Sequence, residues 1–291
     1  MSDLFAAIEA GGTKFNCALF DRQKNIVAEA RIATTSPEET LGQCIAFFQQ
    51  QREAGLAFSE LGLATFGPVD LNPTSPTYGN LTTTPKPGWK NAPLMRTLAE
   101  ALNCNVAIDT DVNAAARAEY LWGASMNTNV SIYVTVGTGV GAGVLINGKP
   151  LQGILHPEMG HILIGDIQEI QGVCPYHGSC VEGLASGAAM KAIWGVPAQE
   201  LSDNHPAWAI QSKVLAKFCH NLLVSFSPER LILGGGVMAK PGLLESITQE
   251  TESSLNHYLA MDSKLSEIIV PPTLGERSGI LGALALAMSV A

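Results

Sequence analysis

The chain has 291 residues, 46% of them hydrophobic and 15% charged, with 29 glycines, which suits one large or two packed α/β domains and excludes a disordered chain or a mini-protein. Its formal charge of −9, with no lysine- or arginine-rich run, excludes a broad electrostatic grip on nucleic acid, so any phosphate it binds must meet local donors. No apolar run reaches the roughly 18 residues of a membrane span, and Met1 to Ala10 carries Asp3 and Glu9 where a leader would be basic and then apolar, so the expectation is a cytoplasmic protein with no membrane partner.

Apolar-rich segments predict strands at 4–8, 15–20 and 26–32. A helix follows, with Ser36 as its cap, Pro37 in its first position, Glu39 placed as in a capping box and Gly55 at its end, so that Leu41, Ile45 and Phe48 share one face. After a strand at 61–66, residues 67–93 concentrate proline, glycine, asparagine and threonine and predict a long irregular, substrate-facing excursion, with room for a short hairpin. A helix over 94–102, a strand over 106–108 and a helix over 112–122 come next. The opening pattern then restarts as a strand at 131–136, a glycine-rich turn and a strand at 143–146, and this weak two-fold repetition puts a domain junction near Arg117. Helices near 206–226, 240–258 and 278–290 and strands at 231–233 and 268–270 complete the reading.

The turn Gly11-Gly12-Thr13-Lys14 lets backbone N–H groups approach a phosphate, with Thr13 and Lys14 as further donors; an ordinary hairpin turn is the alternative. Gly137-Thr138-Gly139-Val140-Gly141 repeats the arrangement in the second half. A third glycine segment, Gly234-Gly235-Gly236, follows a buried-looking strand, the usual context for packing against a nucleotide. Read with Ala239 it also meets the relaxed dinucleotide pattern, but that fingerprint normally opens its unit, and a P-loop mimic at 143–149 fails because Pro150 stands where a magnesium-holding hydroxyl is needed.

Asp109 and Asp111 sit at a strand-to-helix junction, where a carboxylate can project into a cleft; Asp111 reads equally as a helix N-cap. Cys174, His177 and Cys180 form C-x2-H-x2-C, three zinc-type ligands around a tight turn, and His161 is available as a fourth, which implies a closed structural zinc. His156 competes for the fourth place, and unliganded thiols with a solvated histidine are the bland alternative.

The stretches EAGGTK at 9–14, GPVD at 67–70, TTTPKPGW at 82–89, DTDVNAAA at 109–116, VGTGVGAG at 136–143, HPEMGH at 156–161, CPYHGSCVEGLASG at 174–187 and LGGGV at 233–237 together resemble the ROK family of repressors and sugar kinases, within the actin-like and hexokinase-like ATPases, and most of all its bacterial fructokinases. The resemblance implies a two-domain α/β fold of the ribonuclease H-like ATPase type, with a cleft between the domains. It implies an N-terminal domain of 1–116 plus 277–291, its last helix packing back on it, and a C-terminal domain of 117–276. It also implies an ATP-dependent hexose kinase, with fructose favoured by TTTPKPGW, Mg²⁺ and structural Zn²⁺ as cofactors, and a homodimer. Asp111 becomes the general base, the first two glycine turns the phosphate loops and LGGGV the adenosine neighbour. Glu158, His161 and Glu182, with Gly67 and Asn113, become sugar ligands, His161 giving one ring nitrogen to the sugar and the other to zinc. Glu9 stands where the family pattern has Asp, which leaves the protein ligands of Mg²⁺ open, and Cys-His-Cys replaces a common three-cysteine cluster. Glucokinase, mannokinase and N-acetylhexosamine kinase are the alternatives within the family; a sugar-sensing repressor is opposed by the charge and by the first phosphate motif beginning at residue 9.

Overall fold

In the computed structural model, which describes residues 4–165, 167–260 and 262–291, the chain divides into two units. Unit 1 comprises Met1–Ala118, Gln152–His156 and Arg277–Ala291, and unit 2 comprises Glu119–Leu151 and Pro157–Glu276. In chain order the elements are β1 (Leu4–Ala10), β2 (Lys14–Asp21), β3 (Ile26–Ala33), α1 (Pro37–Glu53), β4 (Phe58–Thr65), α2 (Leu94–Leu102), β5 (Asn105–Thr110) and α3 (Asp111–Trp122). There follow β6 (Val130–Val136), β7 (Val140–Ile146), β8 (Lys149–Pro150), α4 (Val181–Ala185), α5 (Gly187–Trp194), α6 (Ala207–Phe226), β9 (Arg230–Gly234), α7 (Leu243–Leu255), α8 (Leu265–Ile268), β10 (Ile269–Val270) and α9 (Ser278–Met288).

Unit 1 is built on a five-stranded sheet ordered β3-β2-β1-β4-β5, antiparallel from β1 to β3 and parallel from β1 through β4 to β5. β1 is buried almost continuously because the sheet is covered on both faces. α9 lies on β1 and β4; it is apolar all round and buried from Ser278 to Ala287, as an interior helix must be. Its approach is so close that a Cβ on Gly62 of β4 would overlap the Ala283 carbonyl and come within 2.7 Å of the Ala287 nitrogen. α1 begins as its sequence predicts: Ser36 Oγ accepts from the Glu39 N–H at 3.2 Å, and Pro37 takes the first turn. Its buried face is Thr40, Leu41, Cys44 and Phe48, with Ile45 only half-buried.

Residues 67–93 are irregular, and the short hairpin shrinks to a single antiparallel bridge, Val69 to Leu81. The turn between them is instead organised by Asp70, whose carboxylate accepts from Ser75 Oγ at 2.5 Å, Thr77 Oγ1 at 2.7 Å and the Asn72 N–H at 3.0 Å. Segment 152–156, which the sequence reading leaves with the C-terminal domain, groups with unit 1, where His156 Nε2 accepts from the Val69 N–H at 3.1 Å.

Unit 2 carries a second five-stranded sheet, ordered β10-β9-β6-β7-β8. β6, β7 and β8 are antiparallel neighbours, while β9 runs parallel to β6 and β10 to β9. With β6 to β10 set against β1 to β5, the two sheets have the same strand order and the same directions. The repetition visible in the glycine turns is therefore a repetition of the whole sheet. The unit's core lies between this sheet and α4, α6 and α7, and includes Val134, Val144, Leu184, Phe218, Leu222, Leu233 and Ile247.

Candidate functional site

In unit 1, Gly11 to Thr13 close the β1–β2 hairpin, with the Gly11 N–H donating to the Lys14 carbonyl at 2.9 Å. A Cβ on Gly11 would sit 3.0 Å from that same oxygen, whereas Gly12 faces open space. All three turn carbonyls are engaged: Gly11 by Thr34 Oγ1 at 2.8 Å, Thr13 by the Thr34 N–H at 3.0 Å, and Gly12 by Lys86 Nζ at 2.5 Å. Lys86, in the irregular 67–93 segment, is a contact that sequence reasoning missed, since a lysine between two prolines carries no signal of its partner. Glu9, just before the turn, accepts from Asn16 Nδ2 at 2.8 Å and packs where Gly279 of α9 leaves space for it. Burial raises its carboxyl above the ordinary value, against the lowering effects of Asn16 and Lys14.

The β5–α3 junction separates the roles of neighbouring side chains. Thr110 Oγ1 accepts from the Asn113 N–H at 3.1 Å, so Thr110 is the helix cap and Asp111 occupies the first helical position, which resolves the alternative in which Asp111 itself caps. Asp111 is half-buried, and its Oδ1 accepts from the Val112 N–H at 2.9 Å, a placement that the helix N-terminus favours for a carboxylate. Asp109 takes the Thr110 N–H at 2.7 Å and Asn113 Nδ2 at 2.8 Å. Burial pushes the Asp109 carboxyl up, and the bond from Asn113 partly offsets this. Asn113 itself is buried, with its amide on Asp109. Gly67 lies at the end of the β4 exit and joins Pro68 through a cis peptide bond.

In unit 2 the second glycine turn, between β6 and β7, is tied from several sides. The Gly187 N–H donates to the Gly137 carbonyl at 2.7 Å and the Ala188 N–H to the Thr138 carbonyl at 3.4 Å, both from the start of α5, whose cap is Ser186. The third glycine segment meets the same place. A Cβ on Gly235, which has φ of 95°, would lie 2.5 Å from the Val136 carbonyl oxygen, and Val237 reaches within 3.7 Å of the position a Cβ on Gly187 would take. Gly234 is held against the Tyr133 ring, and Gly236 opens a short 3-10 turn. The turn at Gly137 and Thr138 thus shares one neighbourhood with the Gly235–Val237 segment through the start of α5.

Glu182 connects this turn to the histidine cluster. Its Oε2 accepts from the Val140 N–H at 3.0 Å, a Cβ on Gly139 would come within 2.6 Å of that oxygen, and its Oε1 lies 3.9 Å from His161 Nε2. Glu158 is close enough that burial, and then the Glu182 charge, push its carboxyl up to about 7.

His161, Cys174, His177 and Cys180 place one donor atom each within 4.8 Å of one another. The two Nδ1 atoms are 3.3 Å apart, and His161 Nδ1 lies 3.5 Å from Cys180 Sγ and 3.8 Å from Cys174 Sγ, with 3.7 Å from His177 Nδ1 to Cys174 Sγ. A tetrahedral ion with Zn–N of about 2.0–2.1 Å and Zn–S of about 2.3 Å requires donor separations of roughly 3.3–3.8 Å. The residues therefore fit zinc in spacing and in chemistry. His161 turns Nδ1 to the cluster and Nε2 to Glu182, while His156 is occupied with Val69.

A fructokinase of Zymomonas mobilis is 46% identical over 98% of this chain and 97% of its own length. A fructokinase of Lactococcus lactis subsp. cremoris is 41% identical over 100% and 99%. The crystal structure of a ROK hexokinase from Thermus thermophilus superposes with a TM-score of 0.78 at 27% identity, covering 99% of this chain and 98% of that one. The ROK family pattern matches residues 5–290, and the chain belongs to the ROK family.

Proposed function

We propose that this protein is an ATP-dependent hexose kinase whose substrate is D-fructose, converted to fructose 6-phosphate with release of ADP. The observation that carries the reading is the β5–α3 junction. Thr110 caps the helix, Asn113 and Asp109 engage each other, and Asp111 stands half-buried in the first helical turn, its Oδ1 held by the Val112 N–H, so that its carboxylate is fixed where the strand gives way to the helix. A sugar hydroxyl is a poor nucleophile, and phosphoryl transfer needs an aligned attacker and charge neutralisation more than covalent help. Asp111 takes the hydroxyl proton as that oxygen bonds to the γ-phosphorus, the bond to the bridging oxygen breaks, and ADP leaves.

The two turns at Gly11–Lys14 and Gly137–Gly141 supply backbone donors to the phosphates, and the Gly234–Gly236 segment packs by the adenosine. Glu158, His161 through Nε2, and Glu182 pair with ring hydroxyls, with Gly67 contributing backbone. Zn²⁺ would be held by His161, Cys174, His177 and Cys180 in a closed site and would supply orientation and folding energy. Mg²⁺ bound with ATP would neutralise phosphate charge, and no side chain here is assigned to it. The fructokinase names of relatives at 41–46% identity over nearly the whole chain support fructose over other hexoses.

The test is ATP- and Mg²⁺-dependent ADP release with fructose, glucose, mannose, N-acetylmannosamine and N-acetylglucosamine, for the wild type beside Asp111→Ala. Turnover on fructose that disappears in the variant is expected. Absence of turnover on every sugar would overturn the kinase reading, and a strong preference for another sugar would overturn the fructose assignment.

A further inference from the structure

The first glycine turn is held by its carbonyls, and one of its holders comes from a distant segment. Thr34, at the end of β3, accounts for the Gly11 and Thr13 carbonyls, and the Lys86 ammonium takes the Gly12 carbonyl at 2.5 Å while reaching the Thr34 carbonyl at 3.4 Å. Lys86 stands between Pro85 and Pro87, whose rings restrict the backbone on either side. Three residues on, the buried Trp89 donates Nε1–H to the Thr35 carbonyl at 2.8 Å and packs with ring centroids 5.5 Å from both Phe15 and Phe66. The lysine therefore works from an anchored base.

In a trans peptide the C=O of one residue and the N–H of the next point in opposite directions. Fixing the Gly12 carbonyl on Lys86 thus fixes the Thr13 N–H toward the opposite face. This peptide has no Cβ on its Gly12 side to hold its orientation, so without a clasp it rotates more easily than one between two substituted residues. We propose that Lys86 is a positioning residue for the first phosphate turn: its ammonium group pins the Gly12–Thr13 peptide so that the Thr13 N–H is aimed at the ATP phosphates, and it adds a fixed positive charge behind them. The inference rests on the kinase reading above and gives part of the 67–93 segment a task in nucleotide handling rather than in sugar contact.

The test compares Lys86→Met, which keeps the stem and removes the donor, with Lys86→Arg, which keeps charge and donors. Misorientation of a single phosphate donor costs on the order of 10–100-fold, so Lys86→Met is expected to lower kcat/KM for ATP by about that factor and to weaken ADP binding in calorimetry. The fructose dissociation constant, read without nucleotide from tryptophan fluorescence, should stay within about twofold, because the clasp touches only the turn. Lys86→Arg should recover most of the loss. Unchanged ATP kinetics in Lys86→Met, or an arginine variant as impaired as the methionine one, would overturn the clasp. Where Lys86→Met lowers the melting midpoint, Lys86→Gln makes the same comparison with a polar, uncharged head. A wild type without turnover on any sugar overturns the kinase reading itself, whereas wild-type turnover with an ATP-indifferent Lys86→Met overturns only the clasp.

Discussion

Replacing Asp111 by asparagine keeps the side chain's shape and its bond to the Val112 N–H and removes the negative charge and the basicity of the carboxylate. Positioned general bases contribute about 10²–10⁴-fold, so Asp111→Asn should lose that much in kcat with KM for fructose nearly unchanged, a split that steady-state kinetics reads directly. His177→Ala leaves three of the four clustered donors and should reduce bound zinc, measured by mass spectrometry of the intact metal, while raising the fructose KM through loss of His161 orientation. A variant without zinc but with unaltered sugar affinity would separate the cluster from the sugar site. Glu9 supplies a pH test. Burial raises its carboxyl in the folded state, so its contribution to stability is complete below the unfolded carboxyl pKa and is lost as pH rises through the higher folded value. Urea unfolding of the wild type from acid toward neutral pH should show this decline relative to Glu9→Gln, in which that titration is missing. At this scale the C-x2-H-x2-C cluster was legible because its spacing constrains it, whereas the fold was needed to bring His161 to it and to place His156 on Val69. The Lys86 clasp was not legible, since the lysine and its Gly12 partner lie 74 positions apart and no local pattern joins them.

Among the elements, α1 was readable to its ends because cap, first-turn proline and terminal glycine all agree. The α3 start was ambiguous, since Thr110 and Asp111 are both cap-forming types in adjacent positions, and only the direction of the Thr110 hydroxyl decides between them. α4 and α5 went unread: five and eight residues long and punctuated by Gly183, Ser186 and Gly187, they offer no helical period to detect. The two caps now give a paired experiment. Loss of a hydroxyl cap costs about 1 kcal/mol, so Ser36→Ala and Thr110→Val should each lose about that much in urea unfolding of the intact chain. Ser36→Ala should leave kcat untouched, whereas Thr110→Val should also lower it, because Asp111 sits one residue beyond the lost cap. Equal kinetics in the two variants would show that Asp111 holds its place without Thr110.

Over the whole chain, the repeated glycine turns disclosed a repeat of two sheets with one strand order. The strands of the second sheet were harder to delimit, because β8 and β10 are only two residues long. Unit 1 depends on α9, and Gly62 is the contact that admits it. Gly62→Ala would press a methyl group into the backbone of Ala283 and Ala287, which cannot yield as a side chain can. Overpacking of this kind costs about 1–3 kcal/mol, and the variant should show a lowered melting midpoint with kcat per folded molecule little changed. The same helix has a consequence during protein synthesis. Between Ala118 and Arg277 the ribosome adds roughly 160 residues, a wait of about 10–30 s at about 5–20 residues per second. For that interval the apolar surface of β1 and β4 that α9 covers has no helix to cover it. The nascent chain should then be most open to chaperone capture, and most vulnerable to proteases, between the emergence of β4 and the arrival of its last helix.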